Sequence, residues 1–574
     1  MYSMYNDAAY SEWRTYVEEQ CPDVTFNWEN NRDSTQNLIY QVKHGDMADV
    51  VTIRRFESDS AAELAPFLMD LSGEELTSTF TEGTLAPFTF KNKLCWYPAP
   101  GMMEVLYANE SLFECCGIKL PETIDELESA CRQFRELGID GLSIDASTGY
   151  RAAFLIEGFN YAGCFAGGDG GRWMSSMLAG KEARLSNSYG AQIASVLRAF
   201  AENSLLEQRD LTLDAADTWC AFDSEQAVMV VVGSDLTVTG KMGTKYQIIP
   251  CLGKSVSDRI LYTYPVFNTA VSKEVENNSA KKAVVERVLR VMYSSEAQKI
   301  LAHGTDALLS YNSGINLPVN GPYTSVADLI QQKKCFIRCL NHNAFSAFSS
   351  SVKQMTVASA SDEQFTDDLN TALNRPLNTA VIGKSDIEAG NQQGESNPLE
   401  RVAASVLAQT VRDATGADVV VMEGKAAAAP IYRGDYTEND LSAVVADENL
   451  FEAQLTGAQL QDIFDDAIVA TTTYRYQMIE PLVDYPALSG AKAFLSADGS
   501  VSRLMLPDGS SLQPDQVYHV VISGTIQSAL VYLQNAEASS FTRLDATLQS
   551  VFRGQLVSGS LPKPEQYFEV EAAQ

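Results

Sequence analysis

"YANESLFECCGIKLPETIDELESACRQFRELGIDGLSID" occupies residues 107–145, and its punctuation decides the fold class. Pro121 and a Thr123-x-x-Glu126 capping box open a helix, because the threonine oxygen and the glutamate each satisfy a backbone amide that the first turn leaves unpaired. Leu127, Cys131, Phe134 and Leu137 then fall on one face of that helix. "GLSID" follows as a strand. The same alternation runs outward in both directions. On the N-terminal side, "PDVTFNW" (22–28) reads as a strand, "TQNLIYQVKHGD" (35–46) as a helix ending at a glycine, and "ADVVTI" (48–53) as a second strand. On the C-terminal side, "SAKKAVVERVLRVMYSSEAQKILAHG" (279–304) reads as two helices. Val285, Val288, Leu289 and Met292 face a core in the first, and Ser295-x-x-Gln298 restarts the second. Alternating units of this kind predict an α/β protein with open, mainly parallel sheets.

The texture changes at residues 376–396, "PLNTAVIGKSDIEAGNQQGES", which is polar and turn-rich with one short apolar island and reads as a linker or domain entry. Beyond it, Asn397 caps a helix begun by Pro398 that carries Leu399, Val402, Val406 and Thr410 on one side and ends at Gly416. "ADVVVM" (417–422) is a buried strand. A Thr456-x-x-Gln459 box opens a further helix with Leu460, Ile463, Phe464 and Ile468 inward. The end is β-rich, turning at Asp508-Gly509 before "YHVVIS". The expected domains are therefore 1–375, a linker at 376–396, and 397–574.

At 574 residues, with 45% hydrophobic and 20% charged residues, the chain is long enough for several cores and has a globular composition. Lys+Arg 42 against Asp+Glu 74 leaves a net charge of −32, which argues against a nucleic-acid partner because a polyanion would be repelled. No apolar run approaches the ~20 residues needed to cross a bilayer. Met1 is followed by "YSMYNDAAYSEW" without a basic stretch and apolar core, so the expectation is either a cytoplasmic protein or one whose export segment is not in this sequence. The ten cysteines all precede residue 340 and fit no disulfide framework. Cys335 and Cys339 are one helical turn apart and read as a core helix face, since no second ligand pair accompanies them. "GGDGGRW" (167–173) lacks the spacing of a phosphate loop and reads as a surface loop.

Four stretches in this order carry a family resemblance: residues 107–145, "GSDLTVTGKMGTKYQIIPCLG" (233–253), "NTAVSKEVENNSAKKAVVERVLRVMYSSEAQKILAHG" (268–304) and "GINLPV" (314–319). Over residues 1–375 the chain resembles the sugar-type (family 1) extracellular solute-binding proteins of ABC importers. The first strand looks clipped, since "MYSMYND" starts where that strand should be ending. The resemblance implies a two-lobed periplasmic-binding-protein-like (type II) fold, with ligand held between α/β lobes. It also implies a saccharide solute, an ABC permease as partner, a monomer, and an extracytoplasmic, periplasmic or lipid-anchored location. Carried over position by position, it nominates Arg55 and Phe56 after "ADVVTI", Trp96 and Tyr97 before Pro98, Tyr150 and Arg151 after "GLSID", Asp235 where an aromatic is usual, Tyr262 and Tyr264 before the hinge, and Trp173 at the cleft edge. For each aromatic the competing reading is core packing.

"ESNPLERVAASVLAQTVRDATGADVVVMEG" (395–424), "YRGDYTENDLSAVVADENLFEAQLTGAQLQDIFDDAI" (432–468), "YPALSGAKAFL" (485–495) and "LPDGSSLQPDQVYHVVIS" (506–523) resemble, in order, the C-terminal domain of 5′-nucleotidases. This implies an α+β domain over 397–574. Where that family has an Asn-Gly-Gly-x-x-Arg-like ligand loop, this chain reads Glu423-Gly424-Lys425 and then Ala426 to Ala429. Alanine offers no side-chain donor. The metal motifs of the family's catalytic domain are missing as well, with only His44, His303, His342 and His519 in the whole chain. The expectation is a solute receptor with a catalytically inert nucleotidase-like module, no metal and no cofactor; the alternative is a protein related to nucleotide or sugar-nucleotide hydrolases.

Overall fold

The computed structural model describes all residues except 1–6, 29–34, 54–57, 147, 179–180, 214, 235–242, 306–307, 339, 358–359, 377–378, 391–400, 473–485, 496–500, 565–566 and 571–574. The chain forms two compact units. The larger comprises Ala8–Asn27 and Ala48–Pro376, the smaller Met1–Asp7, Trp28–Met47 and Leu377–Gln574.

In the larger unit, strands β1 (Val50–Ile53), β2 (Tyr97–Pro98), β3 (Gly101–Asn109), β4 (Met229–Gly233), β5 (Tyr246–Ile249), β6 (Leu261–Pro265), β7 (Asn268–Val271) and β8 (Cys335–Ile337) form two sheets. One has the order β1-β7-β2, the other β8-β6-β3-β4 with β5 also paired to β3. Two crossovers join them, β2 to β3 through Ala99-Pro100 and β6 to β7 through Val266-Phe267. Gly101 opens β3 at a close approach, since a Cβ there would lie 2.3 Å from the Tyr311 hydroxyl. The sheets are mainly antiparallel, with β8–β6 the one parallel pair among these described strands, contrary to the parallel expectation. Strands that return through a crossover enter the second sheet head-on, so they pair antiparallel instead of through βαβ links.

The decisive helix runs from Ile124 to Glu136, with the Glu126 amide donating to Thr123 Oγ1 at 3.3 Å and Glu126 Oε2 accepting from the Glu122 amide at 2.8 Å. Leu127, Cys131 and Phe134 are buried with Phe113 in one core, but Leu137 lies past the helix end and is exposed. "GLSID" forms no named strand: Ser143 makes an isolated bridge to Val230 in β4, and Asp140, just before the stretch, makes another to Ala227. The helix Ser279–Met292 buries the four expected residues, and the next spans Ser295–Thr305. Ser294, not Ser295, turns it: the Ala297 amide donates to Ser294 Oγ.

Three expectations fail locally. "PDVTFNW" is a turn at Pro22-Asp23 followed by a run, Val24 to Trp28, that belongs to no strand. Cys335 begins strand β8, beside Leu261, and is not on a helix; Cys339 lies outside the described residues. "GGDGGRW" enters the helix Gly168–Leu178, where Trp173, Met174 and Met177 are buried. Its glycine runs serve packing, since a Cβ on Gly170 would sit 1.5 Å from the Cys164 carbonyl oxygen. The nine described cysteines are free thiols.

The smaller unit contains β9 (Val381–Ser385), β10 (Val419–Met422), β11 (Gly434–Thr437), β12 (Asn449–Thr456), β13 (Ala487–Ser489), β14 (Lys492–Leu495), β15 (Val501–Met505), β16 (Val517–Ser523), β17 (Thr542–Thr547) and β18 (Phe568–Val570). Its main sheet has the order β13-β10-β16-β12-β17, flanked by β9-β11 and β15-β14-β18. The apolar island of the expected linker is thus strand β9, paired with β11. The helix Val402–Thr415 ends at Gly416 in the left-handed region, φ 67°; Asn397, Pro398 and Leu399 lie outside the described residues. The box at Thr456 and Gln459 forms as read, and Leu460, Ile463 and Phe464 are fully buried.

One helix changes allegiance. Thr35–Lys43 was expected among the strands of the first domain, yet it packs on the helix Glu438–Val444, with Tyr40 in the core of the smaller unit.

Candidate functional site

Helix Gly149–Ala153 starts the element that carries the central cluster of the larger unit. Gly149 lets helix Ala344–Val357 approach: a Cβ would sit 2.4 Å from that of Phe345. The ring of Tyr150 consequently lies 4.4 Å from Phe345. Arg151 points under the same surface and donates from Nη1 to Glu104 Oε1 at 2.6 Å and from Nε to Asp145 Oδ1 at 3.0 Å. Glu104 belongs to β3, three residues after the crossover, and pairs in register with Tyr262, while Met102 pairs with Tyr264. Arg338 leaves the end of β8 and spreads its guanidinium 4.5 Å from the Tyr264 ring centre and 4.8 Å from that of Tyr150. Tyr150, Tyr264 and Phe345 are each half-buried, so the cluster reaches the surface.

A buried acid lies beneath it. The helix continues from Ala153 into a π-helical turn, Phe154–Gly158, a local widening often found near functional sites. That turn carries Glu157, which is fully buried and accepts from the Tyr262 hydroxyl at 2.7 Å. Burial pushes its carboxyl up to about 8, more than the Tyr262 bond and Arg338 lower it. For Arg151 and Arg338, burial opposes the charge, but Glu104 beside both raises each guanidinium above its ordinary value.

The structure therefore brings together Tyr150, Arg151, Tyr262 and Tyr264 of the expected residues. Trp96 and Tyr97 are fully buried, with Tyr97 stacked on Phe80 at 5.2 Å and bonded to Thr77, and both belong to the core. Trp173 is also core: its indole stacks on Phe165 at 5.2 Å and Nε1 donates to the Ala183 carbonyl at 3.2 Å. Arg55, Phe56 and Asp235 lie outside the described residues. Sequence reasoning missed Glu104, Glu157, Arg338 and Phe345. A charged residue inside the all-buried strand "GMMEVLYAN" was the one available signal, for Glu104.

In the smaller unit the four alanines have an occupant. Ala426, Ala427, Ala428 and Ala429 are buried, and Asn37 Nδ2 donates to the Ala428 carbonyl at 3.1 Å. The Tyr40 hydroxyl bonds that of Tyr436 and accepts from the Tyr432 amide at 3.1 Å. Tyr432 stacks on His44 at 4.4 Å and donates to Asp46 at 2.6 Å. The helix Thr35–Lys43 is held by main-chain groups of Ala428 and Tyr432 and by the Tyr436 hydroxyl. Beside this contact is a cavity of about 410 Å³ bordered by Asp46, Glu388, Gly390, Pro430, Ile431 and Tyr432. Among the described residues no group of three or more His, Cys, Asp or Glu side chains is placed to hold a metal ion. No helix among them is long and apolar enough to cross a membrane.

Residues 379–531 match the family model of the 5′-nucleotidase C-terminal domain. No curated protein matches the chain. A family 1 extracellular solute-binding protein from Bifidobacterium longum subsp. infantis is similar with TM-score 0.55 and 17% identity, covering 65% of this chain and 97% of that one. Apo RafE from Streptococcus pneumoniae follows at 0.53 and 16%, covering 64% and 94%. A putative binding protein from Bacillus subtilis in an open conformation stands at 0.53 and 13%, covering 65% and 95%. The larger unit has the two-lobed fold of a solute-binding protein. In that larger unit the charged and aromatic cluster adjoins the crossovers. The nucleotidase-type domain begins with β9, inside what its sequence presents as a linker.

Proposed function

We propose that the solute-binding unit captures a saccharide outside the cytoplasm for an ABC permease, and that the nucleotidase-type domain is a non-catalytic module. The observation that carries this reading is the gathering of Tyr150, Tyr264 and Phe345 with Glu104, Arg151 and Arg338 beside the strands that cross between the two sheets. Saccharides offer apolar C–H faces and hydroxyl edges, which suit half-buried rings flanked by fixed charged donors and acceptors. Crossover strands suit capture, because few backbone torsions there carry a whole lobe. A similar structure from Streptomyces coelicolor, TM-score 0.51, is described as a probable secreted solute-binding lipoprotein, which agrees with an extracytoplasmic place. For the smaller domain, the burial of Ala426 to Ala429, with the Ala428 carbonyl taken by Asn37, supports inertness toward nucleotides.

A thermal-shift screen of the full chain against saccharides, nucleosides and peptides tests the reading. At 100 times its dissociation constant a solute stabilises by about 2.7 kcal/mol. The expected hit is a saccharide whose affinity drops by about 1–3 kcal/mol in Tyr150→Ala. A nucleoside or peptide as the sole class of hit overturns it, as does unchanged saccharide affinity in that variant.

A further inference from the structure

We propose that Arg338 anchors a carboxylate of the solute, so that the solute-binding unit takes an acidic saccharide such as a uronate; this rests on the saccharide reading above. Two rings, Tyr264 at 4.5 Å and Tyr150 at 4.8 Å, lie against the guanidinium, and Phe345 stands 5.8 Å away. Rings hold a guanidinium through its plane and leave its N–H edge unused. Among the described residues the Arg338 side chain makes no hydrogen bond. Its ion partner is Glu104 Oε2 at 3.6 Å, beyond hydrogen-bond reach. Arg151 holds the other Glu104 oxygen at 2.6 Å. The Arg338 backbone is fixed by its amide, which donates to the Thr263 carbonyl at 2.8 Å. The side chain as a whole remains 14% exposed.

This arrangement sets what the rings can do. One face of Tyr264 and one face of Tyr150 already carry the guanidinium. An arriving solute meets a planar fork of donors, and that fork matches a carboxylate through two parallel bonds. Local charge does not forbid the approach. Arg151 and Arg338 balance Glu104 and Asp145, and the buried Glu157 holds its proton at neutral pH. The chain's remaining negative charge is screened beyond ~8 Å at physiological ionic strength.

Calorimetry on the full chain tests this with digalacturonate and diglucuronate, each against the neutral disaccharide of the same linkage. The expected result is at least tenfold tighter binding of one uronate than of its neutral counterpart. Arg338→Met should abolish that advantage, and Arg338→Lys should restore part of it, since the charge returns without the fork. Circular-dichroism melts of both variants show whether the fold is kept. Equal or tighter binding of the neutral sugar by the unaltered chain overturns the proposal, as does a uronate preference that survives in a folded Arg338→Met. If neutral saccharides bind and neither uronate does, this proposal fails alone. If no saccharide of either charge binds, the receptor reading fails and takes this one with it.

Discussion

Replacing Glu157 by glutamine should change how stability depends on pH. Glu157 is fully buried, and among the described residues its Oε1 has no hydrogen-bond partner while Oε2 accepts from Tyr262. Burial raises its carboxyl to about 8, whereas in an unfolded chain it titrates near ~4.3. A folded-state value above the unfolded one means that the folded chain binds the proton more tightly. The resulting stability is complete below about pH 4.3, declines as pH rises, and is gone by about pH 8, where the folded state also ionises. Within that window the slope is at most about 1.4 kcal/mol per pH unit. Glutamine cannot ionise. It keeps an oxygen for Tyr262 and adds an amide with its own desolvation, an offset independent of pH. Urea midpoints of the two proteins at pH 5, 6, 7 and 8 isolate the slope. Tryptophan fluorescence is a suitable probe, because Trp13, Trp96, Trp173 and Trp219 belong to the solute-binding unit. The advantage of the unaltered protein over Glu157→Gln should shrink steadily toward pH 8. A constant or widening difference would mean that Glu157 is already ionised in the fold, and the account of its burial would be wrong.

Other outcomes follow from particular contacts. Tyr40→Phe removes the hydroxyl that pairs with Tyr436 and accepts the Tyr432 amide. It should cost the smaller unit about 1–3 kcal/mol, read as faster hydrogen exchange over 426–436 with saccharide affinity unchanged; equal exchange rates would refute it. Trp96→Ala should lower stability by about 3–5 kcal/mol through the cavity it leaves, while molecules that remain folded keep their solute affinity. A selective loss of affinity would return Trp96 to the binding surface. AMP added to the full chain should leave exchange over 422–441 unaltered, and micromolar protection there would show a working nucleotide site.

Local chemistry made much of the architecture legible in the sequence. The boxes at Thr123 and Thr456 and the stop at Gly416 act within one helical turn, so neighbours along the chain suffice to specify them. Partner choice was not legible. The apolar residues Leu38, Ile39, Tyr40 and Val42 show that helix Thr35–Lys43 must be covered, and nothing in their spacing says by what. "PDVTFNW" likewise has strand composition but belongs to no strand in the described structure. The cluster was half visible: Tyr150, Arg151 and Tyr264 sit where strand order places them. Arg338 gains its setting from rings 74 and 188 positions away, which no local pattern records.

The allegiance of helix Thr35–Lys43 carries a consequence for the making of the protein. Asn37 and its acceptor Ala428 are 391 positions apart. At a synthesis rate of about 5–20 residues per second, the helix emerges some tens of seconds before its seat exists. During that interval its apolar face is a waiting surface, open to holding chaperones or to another nascent chain. A ribosome that stalls after residue 376 but before the seat around Ala428 is made leaves a product whose larger unit has all its strands and whose helix has nowhere to go. Such a fragment would be conspicuous to proteases that read exposed apolar helices, until the strands that seat the helix have been made.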